Sequence, residues 1–520
     1  MPVPSVRFID GDTSSTTNYS QPRRVFYAGY FDKGSPDTLT PVYSILDFKT
    51  KFGKPNKNNI NDWFQIYNYF LYDNNEIVIS RSIGENSVNA SISYPFNDFD
   101  VRIDNLDDFR NKPIISENNF LRIIARNPGE WGNDLTVCIF TQYEVLNNML
   151  IHSNYLAKDI QNSMSSNQYC ICVFLKDNLM EKYILKESEN MVDTINENSN
   201  YIYIIFDPKK YKLYDGNIHY VDGLNRLADG NEPNSDKTVF YGSNSLKLSN
   251  GYASLPSAAQ IDETYKSVGE SNDYVFDFII ANTQSPNSAI NLADTRGDCC
   301  AFIGIPRGIK PEEYIKQLQI SNNAIVYYGS KLQLNPFNNQ NIYVNCIGDI
   351  VGLRTRLINS QELSVSHCKT IYSFLNTIDL DIYLTESQIK DLYDLNINIV
   401  KKGYSGIYAL SENTLKGSKL TNRIIYFNLV RECENVALYY VFENNDEYTR
   451  NDLASKIKEI CRRYVADNNI EDFKIVCDIS NNPTQDNNIY VDVYYKPKYL
   501  IEEIVFRIQA ASELPSRILN

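Results

Sequence analysis

The chain writes a β-α-β grammar twice, with a long stretch of different character between the two copies. "RVFYAGYF" reads as a strand, "SILDFKTKFG" as a short helix with Gly53 after its end, "DWFQIYNYFLYD" as a second helix and "EIVISRSIG" as a strand. The grammar returns with the strands "YVFDFIIAN" and "CCAFIGIP", a helix "PEEYIKQLQI" opened by Pro311, and the strand "AIVYYGS". Strands separated by helices pair in parallel within a sheet covered on both faces. Two such blocks about 175 residues apart imply one domain interrupted by an insertion.

The interval, roughly Asn86 to Lys266, reads as strands and loops: "NFLRIIA", "DLTVCIF", "QYCICVFLK", "EKYILKES" and "YIYIIFD", with Asn, Asp and Ser dense between them. After Lys401 come "GIYALSENTL", a helix "NLVRECENVALYYVF" and a helix from Arg450 to Ala466. Thr449 is placed to cap that second helix, with Asp452 three residues on. The strands "FKIVCDI" and "NIYVDVYYKP" follow. The organisation read from the sequence is therefore an arm at 1–22, an α/β core at 23–85 and 267–400, a β-rich insertion at 86–266, an α+β domain at 401–499 and a second arm at 500–520. Each arm carries one short alternating run, marked by Val6 and Phe8 in the first and by Ile504 and Phe506 in the last. A lone strand cannot satisfy its own backbone groups and must pair elsewhere.

One connection is unusually well built. "ARNPGEWGNDLTV" packs Pro128, Gly129, Trp131 and Gly132 into five residues, and the chain has only 2 tryptophans. Pro128-Gly129 suits a type II turn, with proline presetting φ and glycine taking the positive φ. Gly132-Asn133 offers a second place where positive φ is cheap, and the ring of Trp131 can pin the bend. On physics alone this is a careful strand-to-strand connection without a catalytic constellation.

The formal net charge of −14 argues against a general nucleic-acid binder. The charge is uneven: residues 401–520 hold 16 Lys+Arg and 17 Asp+Glu, so 50−16 = 34 and 64−17 = 47 leave −13 for residues 1–400. The 10 cysteines lack two separated ligand pairs and mostly sit in apolar runs, as in "YCICVF" and "CCAFIGI". They read as buried reduced thiols, with no metal and no cofactor expected. "MPVPSVRFIDGD" has no basic region followed by an apolar run, so no signal peptide is expected, and no apolar run is long enough to insert in a membrane.

An enzyme reading finds little to hold. The 3 histidines, His152, His219 and His367, lie outside any glycine-rich catalytic context, and no G-x-S-x-G elbow occurs. His367-Cys368 would point to opposite faces if the segment were a strand. "IDGD" lacks the remaining ligands of a calcium loop.

The motifs in order resemble the tail sheath proteins of contractile phages. "PSVRFIDGD" resembles that family's N-terminal arm, and "ARNPGEWGNDLTV" the entry to its outer domain. "YGSNSLKLSNGYASLPSAAQIDETYKSV" stands where the family has a glycine-rich lead-in, and "DTRGDCCAFIGIP" resembles the run before a core strand. "NRIIYFNLVRECENVALYYVFENNDEYTRNDL" and "VCDISNNPTQDNNIYVDVYYKP" resemble the C-terminal domain. The chain departs in having Val430-Arg431 where the family often has two arginines, and in lacking a tryptophan near the start of the second helix.

The resemblance implies a multidomain α/β plus α+β fold. It has an interrupted subtilisin-like α/β core, a β-rich outer insertion, an inner tube-facing domain and strand-exchanging arms. It implies a non-enzymatic virion subunit that forms hexameric rings stacked helically around a tail tube. It also implies baseplate and tail terminator partners, assembly in the host cytoplasm, and contraction that drives the tube through the host envelope. The sheath of a phage-derived contractile injection particle and a non-contractile virion structural protein are the alternatives. Arg431 matches the family's arginine-bearing helix, and Arg450, Lys458 and Arg462 fall where they could share one broad face toward the tube. Lys456 and Arg463 lie off that line.

Overall fold

The structure is a computed structural model. It describes residues 8–9, 14–15, 23–94, 100–111, 121–141, 168–176, 178–186, 191–206, 211–214, 217–220, 245–270, 274–483 and 487–502. The chain divides into two compact units. The larger comprises Ile9–Gln361 and Ser366–Leu420, and the smaller comprises Met1–Phe8, Glu362–Val365 and Thr421–Asn520.

In the larger unit the two β-α-β blocks meet in one sheet of 8 strands. Its order is Gly406–Ala409, Ile397–Gly403, Ala324–Tyr328, Cys300–Gly304, Val275–Ile280, Arg23–Gly29, Ile77–Arg81 and Thr40–Val42. The six inner strands run parallel and the two edge strands antiparallel. "IVISR" and "CAFIG" are buried at every position, as expected for strands covered on both faces. Phe26 and Ala28 face a cluster that includes Ile261, Tyr265 and Val268 of the helix Ala258–Glu270 and Ala289 and Ile290 of the helix Pro286–Arg296. Tyr27 points the other way, and its hydroxyl donates to Asp62 of the helix Ile60–Phe70 at 2.6 Å.

The helix Ile45–Phe52 begins at Ser44, whose side chain accepts from Asp47 N–H, and ends at Gly53 with φ of 84°. The segment after Pro311 is shorter than its pattern suggests. Four α-helical residues, Pro311–Tyr314, pass into a 3-10 turn Ile315–Gln317, because Leu318 goes extended and buries its side chain.

Besides the two-stranded pair Tyr211–Tyr214 and Asn217–Tyr220, the insertion forms two antiparallel sheets. One has the order Ile202–Phe206, Leu121–Ala125, Ser91–Tyr94; the other has Asn178–Lys186, Gln168–Leu175, Leu135–Thr141, Ser245–Lys247. Ile123, Ala125, Ile202 and Ile204 from the first share one apolar cluster with Leu135, Val137, Ile171, Val173 and Leu246 from the second. Two sequence-derived boundaries shift. The helix Ala258–Glu270 packs into the core cluster through its i, i+4, i+7 apolar positions, so the core resumes before residue 267. The strands Ile397–Gly403 and Gly406–Ala409 extend the parallel sheet, so the break expected at residue 401 falls instead between Leu420 and Thr421.

In the smaller unit the helices Leu420–Ala437 and Glu447–Ala466 and the antiparallel pair Ile470–Val476 and Asp492–Pro497 build their own core. Ile425, Leu429 and Cys433 on the first helix meet Leu453, Ile457, Ile460, Cys461 and Tyr464 on the second. The second helix starts earlier than expected: its N-cap is Asp446, which accepts from Thr449 N–H at 2.8 Å, and not Thr449. Among the described residues no helix is long and apolar enough to cross a membrane.

Candidate assembly surfaces

The connection at Pro128–Asn133 lies between the strands Leu121–Ala125 and Leu135–Thr141 as a 3-10 turn over Glu130–Asp134. It is not a type II turn. Gly129 has φ of 140° and ψ of 160°, outside that class, and only this glycine of the motif takes positive φ. A Cβ at Gly129 would lie 2.4 Å from the carbonyl oxygen of Asp32, so the motif rests directly on the core turn at 31–34. Gly132 is needed for closeness, not for φ: a Cβ there would lie 2.7 Å from Ala90 and 2.8 Å from Ala125. Pro128 is buried, and Trp131 is half-buried. The Lys33 ammonium lies 4.8 Å from the Trp131 ring and 4.5 Å from that of Tyr201. Burial pushes that ammonium down to about 8.

Below the motif, Arg81 fans its guanidinium over the same core turn. It donates to the carbonyls of Phe31 at 2.6 Å, Gly34 at 2.7 Å and Asp32 at 2.9 Å, and is fully buried. The motif is thus the joint that holds the insertion's strands to the parallel sheet's first turn. Nothing in "EIVISRSIG" marks Arg81 for this, since its partners lie about 50 residues upstream and are backbone groups.

His367, Cys368 and Glu412 each place one potential ligand atom within 4.8 Å of the others. The segment is not a strand, so the opposite-faces argument does not apply, and Cys368 Sγ lies 3.8 Å from His367 Nε2. His367 Nε2 also meets the Tyr327 hydroxyl at 2.8 Å, and Ser366 donates to Glu412 at 2.6 Å. Burial works against the Glu412 charge, but His367 and Arg354 hold its carboxyl down at about 2. Burial pushes the Cys368 thiol well up, so it is not poised as a thiolate nucleophile. The arrangement is a buried polar network in which an arginine already supplies the positive charge beside Glu412.

In the smaller unit the expected cationic face breaks up. Arg431 is 4% exposed and Arg450 is 8% exposed, so neither is a surface contact in this chain. The first helix is buried nearly all round over residues 423–434, which takes Arg431 inside. Arg450 sits over the helix's apolar side and donates to Asn445 at 2.7 Å, holding the turn before the helix. Lys458 and Arg462 are exposed and one turn apart. Lys456 and Arg463 are exposed on the far side of the same helix, where Arg463 pairs with Glu432.

Comparison with known proteins bears on what these surfaces serve. The phage tail sheath C-terminal domain family matches residues 424–511. The tail sheath protein of Vibrio phage KVP40 is 25% identical over 452 residues, a match spanning 77% of this chain and 66% of that protein. That of Enterobacteria phage T4 is 24% identical over 235 residues, covering 40% and 36%. The C-terminal part of this chain therefore matches the tail sheath family, and most of its length is similar to a phage tail sheath protein.

Among solved structures, a sheath tail protein from Listeria innocua shares this chain's fold with a TM-score of 0.55 at 10% identity, covering 92% of this chain and 96% of that one. One from Desulfitobacterium hafniense does so with a TM-score of 0.53 at 12% identity, covering 94% and 96%. The match to the Vibrio phage protein stops just short of two thirds of its length, and the match to the T4 protein covers about a third.

Phe8–Ile9 pairs with Ser14–Ser15 in a two-stranded sheet, so the N-terminal strand has a local mate that the sequence did not suggest. Val6, Ile504 and Phe506 lie outside the described residues. Sequence reasoning also passed over Phe442, which stands almost fully exposed in the turn between the two C-terminal helices.

Proposed function

We propose that this chain is the structural subunit of a contractile tail sheath, a non-enzymatic protein that polymerises helically around a tail tube. The observation that carries the reading is the family match over the helix pair and strand pair of the smaller unit, supported by two phage relatives that are themselves tail sheath proteins. Contraction drives the tube through the host cell envelope during genome delivery. The finer arrangement in the same proposal is hexameric rings, baseplate and terminator contacts, and assembly in the host cytoplasm before incorporation into the virion tail.

The interrupted parallel sheet is the subtilisin-like core of this proposal, the β-rich insertion is its outer face, and the terminal arms exchange strands with neighbours, the N-terminal strand giving up its local mate Ser14–Ser15 to do so. Such heterologous contacts close into rings where the rotation closes and propagate as helices where it does not. With Arg431 and Arg450 buried, Lys458 and Arg462 remain as tube-facing candidates. Exposed charge contacts are worth about 0–1 kcal/mol each, which suits a grip that repeats along a tube and must be released. Electron microscopy of the purified full-length chain tests the reading: it forms long hollow cylinders, whereas discrete particles that never elongate would count against it.

A further inference from the structure

The turn between the two C-terminal helices is built unlike the rest of the smaller unit. Phe442 takes φ of 76°, a left-handed conformation that bulky side chains avoid, and 89% of its surface is exposed. Tyr439 at 84% and Tyr448 at 81% flank it. Strain of this kind persists only where neighbours impose it, and here both sides of Phe442 are tied down. Tyr440 donates its hydroxyl to Asp452 at 2.6 Å on one side; on the other, Arg450 holds Asn445, which donates to the carbonyl of Asn488 at 3.1 Å. The turn thus holds an aromatic ring in water, rimmed by the exposed carboxylates of Glu443 and Glu447.

A matching surface lies on the same unit. Lys474 and Tyr494 are directly opposed across the strand pair. Their neighbours Phe473, Ile475, Val493 and Tyr495 pack inward, so Lys474 and Tyr494 share the outward face, and Tyr494 is 59% exposed. That face offers an aromatic ring beside a cation, the complement of an aromatic ring beside carboxylates. At 89% exposure Phe442 is almost bare among the described residues, which leaves its ring accessible to another molecule.

We propose that the Phe442 turn of one copy docks on the Lys474–Tyr494 face of a second copy, ring against ring, with Glu443 or Glu447 set against Lys474. This rests on the sheath reading, and it assigns one head-to-tail contact within it. Turn and receiving face are different surfaces, and in the head-to-tail arrangement proposed here, which is not reciprocal about a two-fold axis, each contact leaves a free turn at one end and a free face at the other for growth.

The test uses full-length chains. Phe442→Ser and Lys474→Glu each raise the concentration needed for cylinder formation about tenfold or more, a loss of about 1.4 kcal/mol per contact. Both leave the monomer's thermal melting at or above that of the wild type, because Phe442→Ser removes an exposed ring. Pairing Lys474→Glu with Glu443→Lys restores growth. Cylinders from Phe442→Ser at the wild-type concentration overturn the proposal. A second measurement does not need cylinders: Phe442→Cys chains mixed with Tyr494→Cys chains under an added oxidant give a disulfide-linked dimer well above either variant alone. Yield no greater than the single-variant controls overturns the docking. Wild type that never elongates while this cross-link forms rejects the sheath reading and keeps the contact.

Discussion

Asn133 pairs with both backbone groups of Gly251, accepting from its N–H at 2.7 Å and donating to its carbonyl at 2.9 Å. A carboxamide is the one uncharged side-chain group that offers donor and acceptor in this geometry. The pair ties the 3-10 turn to the segment that follows the insertion's last strand.

Replacing Asn133 by Ala leaves two backbone groups of a glycine without partners in a partly buried place. The expected cost is about 1–3 kcal/mol. Glu130→Ala, at an exposed position of the same turn, is the control and stays within about 0.5 kcal/mol. Urea unfolding of the two variants, with equal m-values, checks this; equal stability would mean that the pairing contributes little.

A buried ion pair joins the strand Ser330–Asn335 to the helix Ile347–Asn359. Lys331 Nζ meets Asp349 at 2.7 Å with both side chains fully buried, and Tyr72 donates to the same carboxylate at 3.0 Å. Lys331→Met strands the carboxylate and costs about 3–5 kcal/mol. Lys331→Met with Asp349→Leu recovers most of that, since removing both charges removes the desolvation cost as well. Denaturation midpoints of the single and double variants decide it, and an additive double variant contradicts the account.

Two carboxylates, the half-buried Asp62 and the buried Glu412, give opposite pH signatures. Burial, only partly offset by the hydrogen bonds from Tyr27 and Tyr30, raises Asp62 from 3.8 to about 6. The folded state therefore holds its proton more tightly. The stabilising contribution is fully present below 3.8 and is lost as pH rises through about 6. Glu412 is depressed from 4.5 to about 2, so its contribution is present above 4.5 and is lost as pH falls through about 2. The stability difference between wild type and Asp62→Asn should shrink as pH rises from 4 to 6.5 (about the span of the shift). The difference between wild type and Glu412→Gln should grow as pH rises toward 4.5. Differences that stay flat across these windows would remove either group as a titrating site.

The exposed pair Lys458 and Arg462 carries the proposed tube contact. Reversing both to glutamate should weaken co-sedimentation with tail tubes, most strongly at low salt where charge is least screened. Monomer melting should stay unchanged. Decoration of tubes that is the same for wild type and variant at every salt concentration assigns the tube face elsewhere.

The parallel sheet was legible because its strands are short, continuous apolar runs set between helical patterns; the order of its strands was not, because it depends on which strands meet across the insertion. The interruption was legible for the same reason, since "YVFDFIIAN" resumes the grammar that "EIVISRSIG" leaves. What failed was burial of charge. A helical wheel puts Arg450 near Lys458, but it does not reveal that Asn445 stands one turn earlier to receive the guanidinium. Arg431 looks exposed beside Val430 only because sequence does not show that its helix is covered nearly all round. The helix expected to run through Phe442 ends at Ala437 and passes into a 3-10 turn at Leu438–Tyr440, so Phe442 stands in a left-handed turn that no propensity for phenylalanine signals.

The central claim is that this chain forms the outer cylinder of a contractile tail. The most direct measurement is cryo-electron microscopy of intact and triggered particles assembled with this chain, located by an affinity tag in an exposed loop. The account predicts the tag along the whole length of a narrow cylinder around the tube before triggering, and on a shorter, wider cylinder afterwards. A tag that marks the capsid or the baseplate alone, or a cylinder unchanged in length and width, would contradict it.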